Sequence, residues 1–260
     1  MSGTWNARSD IRDAMRNLRL ILQFDGTDFS GWQYQDNARS VQGDLAKALK
    51  TLTGEHVILH SSSRTDSGVH AMAMPVSFRL DTTLPLKAFV LGLNSKLPHD
   101  LRVLSAVDMD LDFNARFSAI GKTYVYRVQC GRVALPMERR TAWHVPVPLR
   151  LDLMREAALL LPGEHDFSAF RSSQCSAASP VRTLRSVTVV EERPGIIAIE
   201  VEGGGFLRNM VRIIAGTLVD VGRCNHPPSW ITELLKHGDR QQGGMTAPGK
   251  GLFLKEVQYP

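Results

Sequence analysis

The sequence predicts an α+β fold in which two similar α/β halves join mixed or antiparallel sheets into one continuous sheet around a central cleft. Three observations predict it. Short apolar or alternating runs typical of strands occur along the whole chain, amphipathic stretches typical of helices lie between them, and the second half loosely repeats the element order of the first. Side-by-side sheets leave a cleft between the halves, which suits a long ligand.

In the first half, four apolar runs predict strands and two amphipathic stretches predict helices. Ser40 can cap the first helix, Gly54 can end it, and Pro85 can begin the second. The predicted elements are a strand at 18–24, a helix at 41–53, strands at 56–59 and 73–80, a helix at 85–93 and a strand at 101–104.

The second half begins with a run of clean alternation that places Tyr124, Tyr126 and Val128 on one side of a strand. The predicted elements are a strand at 122–128, a helix at 151–161, strands at 181–190 and 196–201, helices at 206–221 and 228–235, and a strand at 251–257. We place the domain boundary near Phe113, without a flexible linker. Residues 1–17 are then a basic N-terminal tail, 18–113 an N-terminal domain and 114–260 a C-terminal domain.

Composition restricts the class of protein. The hydrophobic content of 43% and charged content of 22% are typical of a soluble globular protein, and 260 residues can bury a sizeable core. No apolar signal core or run of membrane-spanning length is present, which predicts a cytoplasmic protein. The three cysteines are widely spaced and no cofactor motif occurs, so we expect no disulfide, metal or cofactor. The net charge of +5 fits an anionic partner such as RNA without requiring one.

Residues 64–71 (RTDSGVHA) are the most informative run in the chain. Gly68 permits a sharp turn after an apolar run. If the chain is extended there, Arg64 and Asp66 project to the same side, and the guanidinium favours the charged carboxylate. A charged aspartate suits a nucleophile or a base. The alternative is an aspartate that closes a turn and is paired with its neighbour for structure only.

Two further positions have both a structural and a functional interpretation. Tyr124 is either a core residue of its strand or a ring on which an unstacked base rests, and Tyr126 could equally be the core member. Arg208 and Arg212 lie four apart on the predicted apolar helix at 206–221. Each either reaches the surface or pairs with a buried acid, for which Asp66 is a candidate. The scattered histidines, including His70, are predicted to be structural.

Taken in order, these motifs resemble the tRNA pseudouridine synthase A family from about residue 18 to the end of the sequence. One such motif is weak, but this many in sequence are highly specific. The matching segments are 24–27 (FDGT), 31–33 (GWQ), 40–42 (SVQ), 64–71, 93–94 (LN), 97–98 (LP), 113–119 (FNARFSA), 122–126 (KTYVY), 165–167 (HDF) with Phe170, 209–212 (NMVR) and 251–254 (GLFL).

The resemblance implies a pseudouridine synthase fold and isomerisation of uridine in the anticodon arm of tRNA, at positions 38–40, by a homodimer without cofactors. It also implies that Asp66 is the essential nucleophile or base and that Tyr124 stacks on the target base. Arg212 would then pair with the aspartate, and Arg64 would help to flip the nucleotide. A synthase for another RNA and a non-catalytic RNA-binding protein are the alternatives.

Two serines depart from the family pattern. Ser63 stands where the family commonly has glycine, and Ser67 where alanine is common. Both residues are small, so we expect altered loop packing and unchanged chemistry.

Overall fold

One ten-stranded mixed sheet forms the centre of the computed structural model, which describes residues 15–260. The spatial order of the main strands is β4-β1-β3-β10-β5-β9-β8-β7, with β2 paired to β3 and β6 to β5. The predicted α+β class with a continuous sheet is therefore confirmed. The strands are β1 (Met15–Phe24), β2 (His60–Ser61), β3 (His70–Asp81), β4 (Leu101–Met109), β5 (Gly121–Cys130), β6 (Trp143–Val145), β7 (Gly163–Asp166), β8 (Val181–Arg193), β9 (Ile196–Gly203) and β10 (Leu252–Gln258).

Helices pack on one face of this sheet. They are α1 (Val41–Thr53), α2 (Leu151–Ala158), α3 (Met210–Gly222) and α4 (Trp230–His237), and a helical segment at 86–94 is π-helical over Ala88–Gly92. The predicted ends of α1 are confirmed, because the Ser40 hydroxyl accepts a hydrogen bond from the Gly43 amide and Gly54 is left-handed. No helix of the described residues is long and apolar enough to span a membrane.

The core lies between the helices and the alternating side chains of the central strands. In β5, Tyr126 and Val128 are fully buried and Tyr124 nearly so, which confirms the predicted alternation. On the opposite face, Val125 packs with Ala198 and Phe253 in a much smaller apolar cluster. The sheet therefore has one main apolar face, and the site described below borders it.

The two halves of the sheet meet where β3 runs parallel to β10. Only two residue pairs join these strands, Phe253 with His70 and Leu254 with Ala71. The imidazole of His70 is buried at this junction and stacks on the Phe253 ring at 4.5 Å between centroids. A short backbone contact and one stacked pair therefore lie at the line between the halves.

The predicted boundary near Phe113 falls in the connection between β4 and β5. This connection is packed, because the Phe113 ring lies 5.2 Å from that of Tyr259 and the Tyr259 hydroxyl donates to the Ala115 carbonyl at 2.7 Å. Asn17 donates from its side-chain amide to the Phe113 carbonyl at 2.8 Å. Contacts from both ends of the described chain thus hold this connection in place.

Two predicted elements are wrong in their bounds. Residues 56–59 are not a strand, because β3 offers a pairing edge only to His60 and Ser61, and Ile58 in the apolar run is 77% exposed. The helix predicted at 206–221 begins four residues later, at Met210, because Asn209 is left-handed at φ 63° and interrupts it.

The ends of other predicted elements also shift; the helix predicted at 228–235, for example, spans Trp230–His237. The helix predicted at 151–161 ends at Ala158, after which residues 159–161 form a turn. The predicted tail at 1–17 overlaps β1, which includes residues 15–17, and residues 1–14 lie outside the described residues.

Candidate active site

A cleft with a volume of about 960 Å³ contains Asp66, Tyr124 and Arg212 together. Of the described residues that line it, one is a carboxylate and six are cationic. The cleft therefore has a positive wall around a single negative group, an arrangement that favours an anionic polymer over an anionic small molecule because the charges are spread. The cationic residues are Arg64, Arg116, Lys122, Arg182, Arg208 and Arg212.

Asp66 lies on an irregular loop, and backbone hydrogen bonds to the segment 29–32 hold this loop before and after the aspartate. The Thr65 carbonyl accepts a hydrogen bond from the Trp32 amide at 3.1 Å, and the Gly68 amide donates to the Phe29 carbonyl at 3.3 Å. Gly68 is left-handed at φ 75°, as its place in the predicted sharp turn requires. The segment around Gly31 lies so close that an added Cβ would be 2.5 Å from the Thr65 carbonyl oxygen. Backbone contacts thus fix where the aspartate projects.

Arg212 reaches Asp66 across the cleft. Its Nη1 lies 3.4 Å from Asp66 Oδ2, and the side chains are 18% and 28% exposed, so both remain accessible to a ligand. The guanidinium is held by two further acceptors, the Ala247 carbonyl at 2.7 Å from Nε and Asn209 Oδ1 at 3.2 Å from Nη1. Its position therefore does not depend on the aspartate alone.

The start of α3 corrects the predicted arrangement of the two arginines. Arg212 lies in the first turn of α3, but Arg208 belongs to the preceding turn and is exposed. The two are thus not on one helix face. Asn209, which was not singled out, ends the turn in the left-handed conformation and accepts from Arg212. Asn209 belongs to the segment 209–212 of the family resemblance, but the apolar pattern predicted that it lies inside a helix, where it would not end a turn.

Arg64 differs from its expected place. It is exposed and lines the cleft, and among the described residues no ion pair joins it to Asp66. The arginine that pairs with Asp66 is therefore not its neighbour Arg64 but Arg212, from a distant part of the sequence, as the family resemblance implied. Arg64 is left free to contact a ligand.

Tyr124 borders the cleft with only 7% of its surface exposed. Its ring packs edge-on against Phe206 at 5.1 Å between centroids, and its hydroxyl lies 2.6 Å from the Ser63 hydroxyl. Burial raises the pKa of Tyr124 to about 12, the Ser63 hydrogen bond opposes this rise, and the negative charge of Asp66 adds to it. The phenol is thus protonated at neutral pH. Tyr126 is the core member of the pair, and burial raises the pKa of its phenol well above the usual range.

The two serine departures have different outcomes. Ser67 makes only a long 3.4 Å hydrogen bond to the Phe29 carbonyl. Ser63 makes a direct 2.6 Å side-chain contact with Tyr124, which a glycine would lack. The sequence did not predict this contact, because the two residues are 61 positions apart.

His70 has a structural environment, as predicted. Its Nδ1 accepts a hydrogen bond from the Gly26 amide at 3.0 Å, so the proton is on Nε2, which faces the carbonyls of Arg140 and Lys250. Burial lowers the pKa of His70, although the nearby Asp25 carboxylate opposes this. The imidazole therefore joins segments of both halves as a neutral group.

One cation inside the cleft is partly shielded from water. Burial lowers the pKa of the Lys122 ammonium, and the positive charge of Arg116 acts in the same direction. No three His, Cys, Asp or Glu side chains within residues 15–260 are grouped as a metal site requires. Among the described residues, the polar side chains that line the cleft are one carboxylate, six cations, a phenol, the Cys175 thiol, amides and hydroxyl groups.

Comparison with known proteins gives one consistent family. The family model described as tRNA pseudouridine synthase matches residues 20–118 and 157–260. A tRNA pseudouridine synthase A of Geobacter sp. (strain M21) is 46% identical over 247 residues, which are 95% of this chain and 100% of that protein. The tRNA pseudouridine synthase A of Pelobacter propionicus is 47% identical over 245 residues, 94% of this chain and 100% of that protein.

Similarity to solved structures is weaker. The archaeal box H/ACA sRNP Nop10–Cbf5 complex aligns with 83% of this chain and 47% of that chain, at a TM-score of 0.37 and 13% identity.

Proposed function

Because this chain belongs to the tRNA pseudouridine synthase family, we propose that it isomerises uridine to pseudouridine in tRNA, at positions 38–40 of the anticodon arm, with Asp66 as nucleophile or base. The observation that carries the assignment is the single carboxylate of the cation-lined cleft, paired with Arg212 and next to Tyr124. The enzyme is an intramolecular transferase, an isomerase.

The reaction breaks the bond between N1 of uracil and C1′ of ribose, rotates the base and joins C5 to C1′. The C5 proton is lost, N1 gains a proton, and no oxidant or group donor is needed. The Asp66 carboxylate either attacks C1′ or removes the 2′ proton to give a glycal. Both routes need the carboxylate close to the sugar, and the ion pair with Arg212 at 3.4 Å holds it in place inside the cleft.

The target nucleotide must leave its stack before reaching Asp66. Flipping a base costs on the order of a few kcal/mol, which stacking in the pocket and phosphate contacts offset. Tyr124 offers an aromatic edge in the cleft, and the phenol stays protonated because its pKa is raised to about 12. In this proposal the base rests against Tyr124 while its sugar faces Asp66.

Unpaired cations along the cleft suit the phosphate backbone. Among the described residues, Arg64, Arg116, Arg182 and Arg208 line the cleft without forming an ion pair with any carboxylate. Each phosphate that such a side chain neutralises releases counterions, so binding weakens as salt rises. Arg64 is next but one to Asp66 in sequence and exposed, which suits a side chain that occupies the space left by a flipped nucleotide.

The proposal also includes a homodimer and a cytoplasmic location. Both rest on the resemblance of the sequence motifs and on the composition described above.

The test is release of tritium from a C5-tritiated tRNA transcript by the wild-type protein and by Asp66→Asn, followed by mapping of the modified position. Asp66→Asn keeps the shape of the side chain and removes its charge. We expect the variant to bind tRNA normally and to lose at least roughly 10²- to 10⁴-fold in rate, the range for removal of an acid–base group.

Each result has a defined meaning. Release by the wild type alone, mapped to the anticodon arm, supports both the reaction and the target. Substantial turnover by Asp66→Asn contradicts the role of the carboxylate. Wild-type release from another RNA, with none from tRNA, replaces the substrate, and binding without release from any RNA favours a non-catalytic RNA-binding protein.

A further inference from the structure

A hydroxyl–hydroxyl contact spans the cleft between the two halves. Ser63 Oγ, on the loop that carries Asp66, lies 2.6 Å from the phenolic oxygen of Tyr124 in β5. A separation of 2.6 Å is at the short end of O–H···O hydrogen bonds. Ser63 also lines the cleft and is half-buried. The contact therefore links the carrier of the carboxylate to the ring proposed to hold the base.

Either hydroxyl can be the donor in this bond. The Tyr124 phenol keeps its proton at neutral pH, because burial raises its pKa to about 12. The contact is therefore a hydrogen bond between two neutral hydroxyl groups.

Hydrogen bonds of neighbouring residues hold the backbone at Ser63 in place. The Ser61 hydroxyl donates to the Ser63 carbonyl at 2.9 Å, and the Ser62 amide donates to the Pro75 carbonyl of β3 at 3.0 Å. The backbone of Tyr124 is held by the sheet, where it lies opposite Leu254 of β10 on one side and Val201 of β9 on the other. Phe206 packs against the ring. Of the groups that hold the ring, only Ser63 comes from the loop of Asp66.

We propose that Ser63 is a positioning residue for the isomerisation, whose hydroxyl holds the Tyr124 ring in register with the Asp66 carboxylate. This rests on the proposed function, in which Tyr124 contacts the target base. Phosphate contacts elsewhere in the cleft supply most of the tRNA affinity, so loss of the bond slows the chemical step and leaves binding nearly unchanged.

The test is a double-mutant cycle on the pair. Single-turnover tritium release and the Kd for tRNA are measured for wild type, Ser63→Ala, Tyr124→Phe and the double variant. A hydrogen bond of ordinary net strength predicts a loss of about 3- to 10-fold in rate for each single variant. Because both singles remove the same bond, the double variant should be no slower than the slower single, with Kd within about twofold throughout.

Two further variants separate positioning from general loop stability. Ser63→Thr keeps a hydroxyl and should restore most of the rate. Ser67→Ala removes the neighbouring loop hydroxyl, whose only hydrogen bond among the described residues is the 3.4 Å contact with Phe29, and should match the wild type. Thermal melting confirms that each variant is folded, and Tyr124→Phe tests the same bond without altering the loop.

The inference fails if Ser63→Ala reacts at the wild-type rate, if the two single effects multiply in the double variant, or if Kd rises in step with the loss of rate. These outcomes differ from failure of the proposed function, in which the wild-type protein itself releases no tritium from tRNA.

Discussion

The N-terminal and C-terminal halves of the sheet contribute unlike parts to the site. The first supplies Asp66 from an irregular loop, whereas the second supplies Tyr124 from a strand paired on both sides and Arg212 from the first turn of a helix. Regular elements hold side chains precisely, and loops expose them. The difference teaches that the group proposed to react projects from a loop, whereas its partners project from regular secondary structure.

Among these variants, Tyr124→Ala should have the largest effect on the residues that the C-terminal half contributes to the site. Replacing a buried aromatic residue with alanine costs roughly 3–5 kcal/mol, because packing is lost and a cavity remains. We expect a loss of this size in the free energy of unfolding, measured by urea denaturation, together with a several-fold or larger loss of tritium release by the folded enzyme.

The matched control is Tyr126→Phe, which removes the 2.8 Å bond to the Pro248 carbonyl from a tyrosine that is wholly in the core. This should cost about 1 kcal/mol and leave the rate unchanged. A Tyr124→Ala rate within twofold of wild type would contradict the role of the ring.

Arg212→Lys tests whether the rate depends on the fixed position of the Arg212 guanidinium or only on its positive charge. A lysine keeps the charge but cannot bind Asp66, Asn209 and Ala247 at once, because it lacks the planar fork of donors. Loss of charge-assisted hydrogen bonds predicts about a 10- to 100-fold slower single-turnover rate, with the Kd for tRNA changed little. Arg127→Lys, at an arginine paired with Glu192, is the control. Equal rates for the two variants would show that position 212 needs only a charge.

His70→Gln probes the junction through its pH dependence. Burial lowers the folded-state pKa of His70 below its usual 6.5, so the unfolded chain takes up the proton first as pH falls. The stability that neutral His70 provides is complete above pH 6.5 and is lost as pH falls from there through the folded-state pKa. The slope is at most about 1.4 kcal/mol per pH unit.

Urea denaturation at pH 7.5, 6.5 and 5.5 measures this effect as the difference between wild type and His70→Gln. The variant should be the less stable at pH 7.5, and the gap should narrow on acidification. Asp25 and the carbonyls of Arg140 and Lys250 surround position 70 in both proteins, so the difference reports the histidine together with its interaction with Asp25. A constant gap would mean that His70 does not titrate differently on folding.

Local patterns predicted much of this fold. The alternation at 122–128 and the caps of α1 are decided by nearby residues, and they match the structure. The strand predicted at 56–59 is absent because a strand needs a neighbouring edge to pair with, and the apolar content of a segment does not show whether such an edge exists. The predicted start of α3 was wrong because Asn209 is left-handed and interrupts the helix, although the apolar pattern of the sequence continues on both sides of it.

The predicted site residues Asp66, Tyr124, Arg64 and Arg212 all line one cleft. The residues alone left open whether Arg212 pairs with an acid, and the family resemblance implied the pair with Asp66 that the structure contains. The contact of Ser63 with Tyr124, 61 positions away, was not predicted, because spacing within a single sequence does not show which distant residues the folded sheet brings together.

The place of β10 has a consequence for how the molecule is made. This strand follows the other nine along the chain, yet it lies between β3 and β5, where it joins the two halves. During synthesis on the ribosome, the strands of the first half emerge and can pair long before their neighbour in the finished sheet exists. The cleft then takes shape only when residues 252–258 have left the exit tunnel. A nascent chain stalled before that point would carry Asp66, Tyr124 and Arg212 without the strand that brings the halves together.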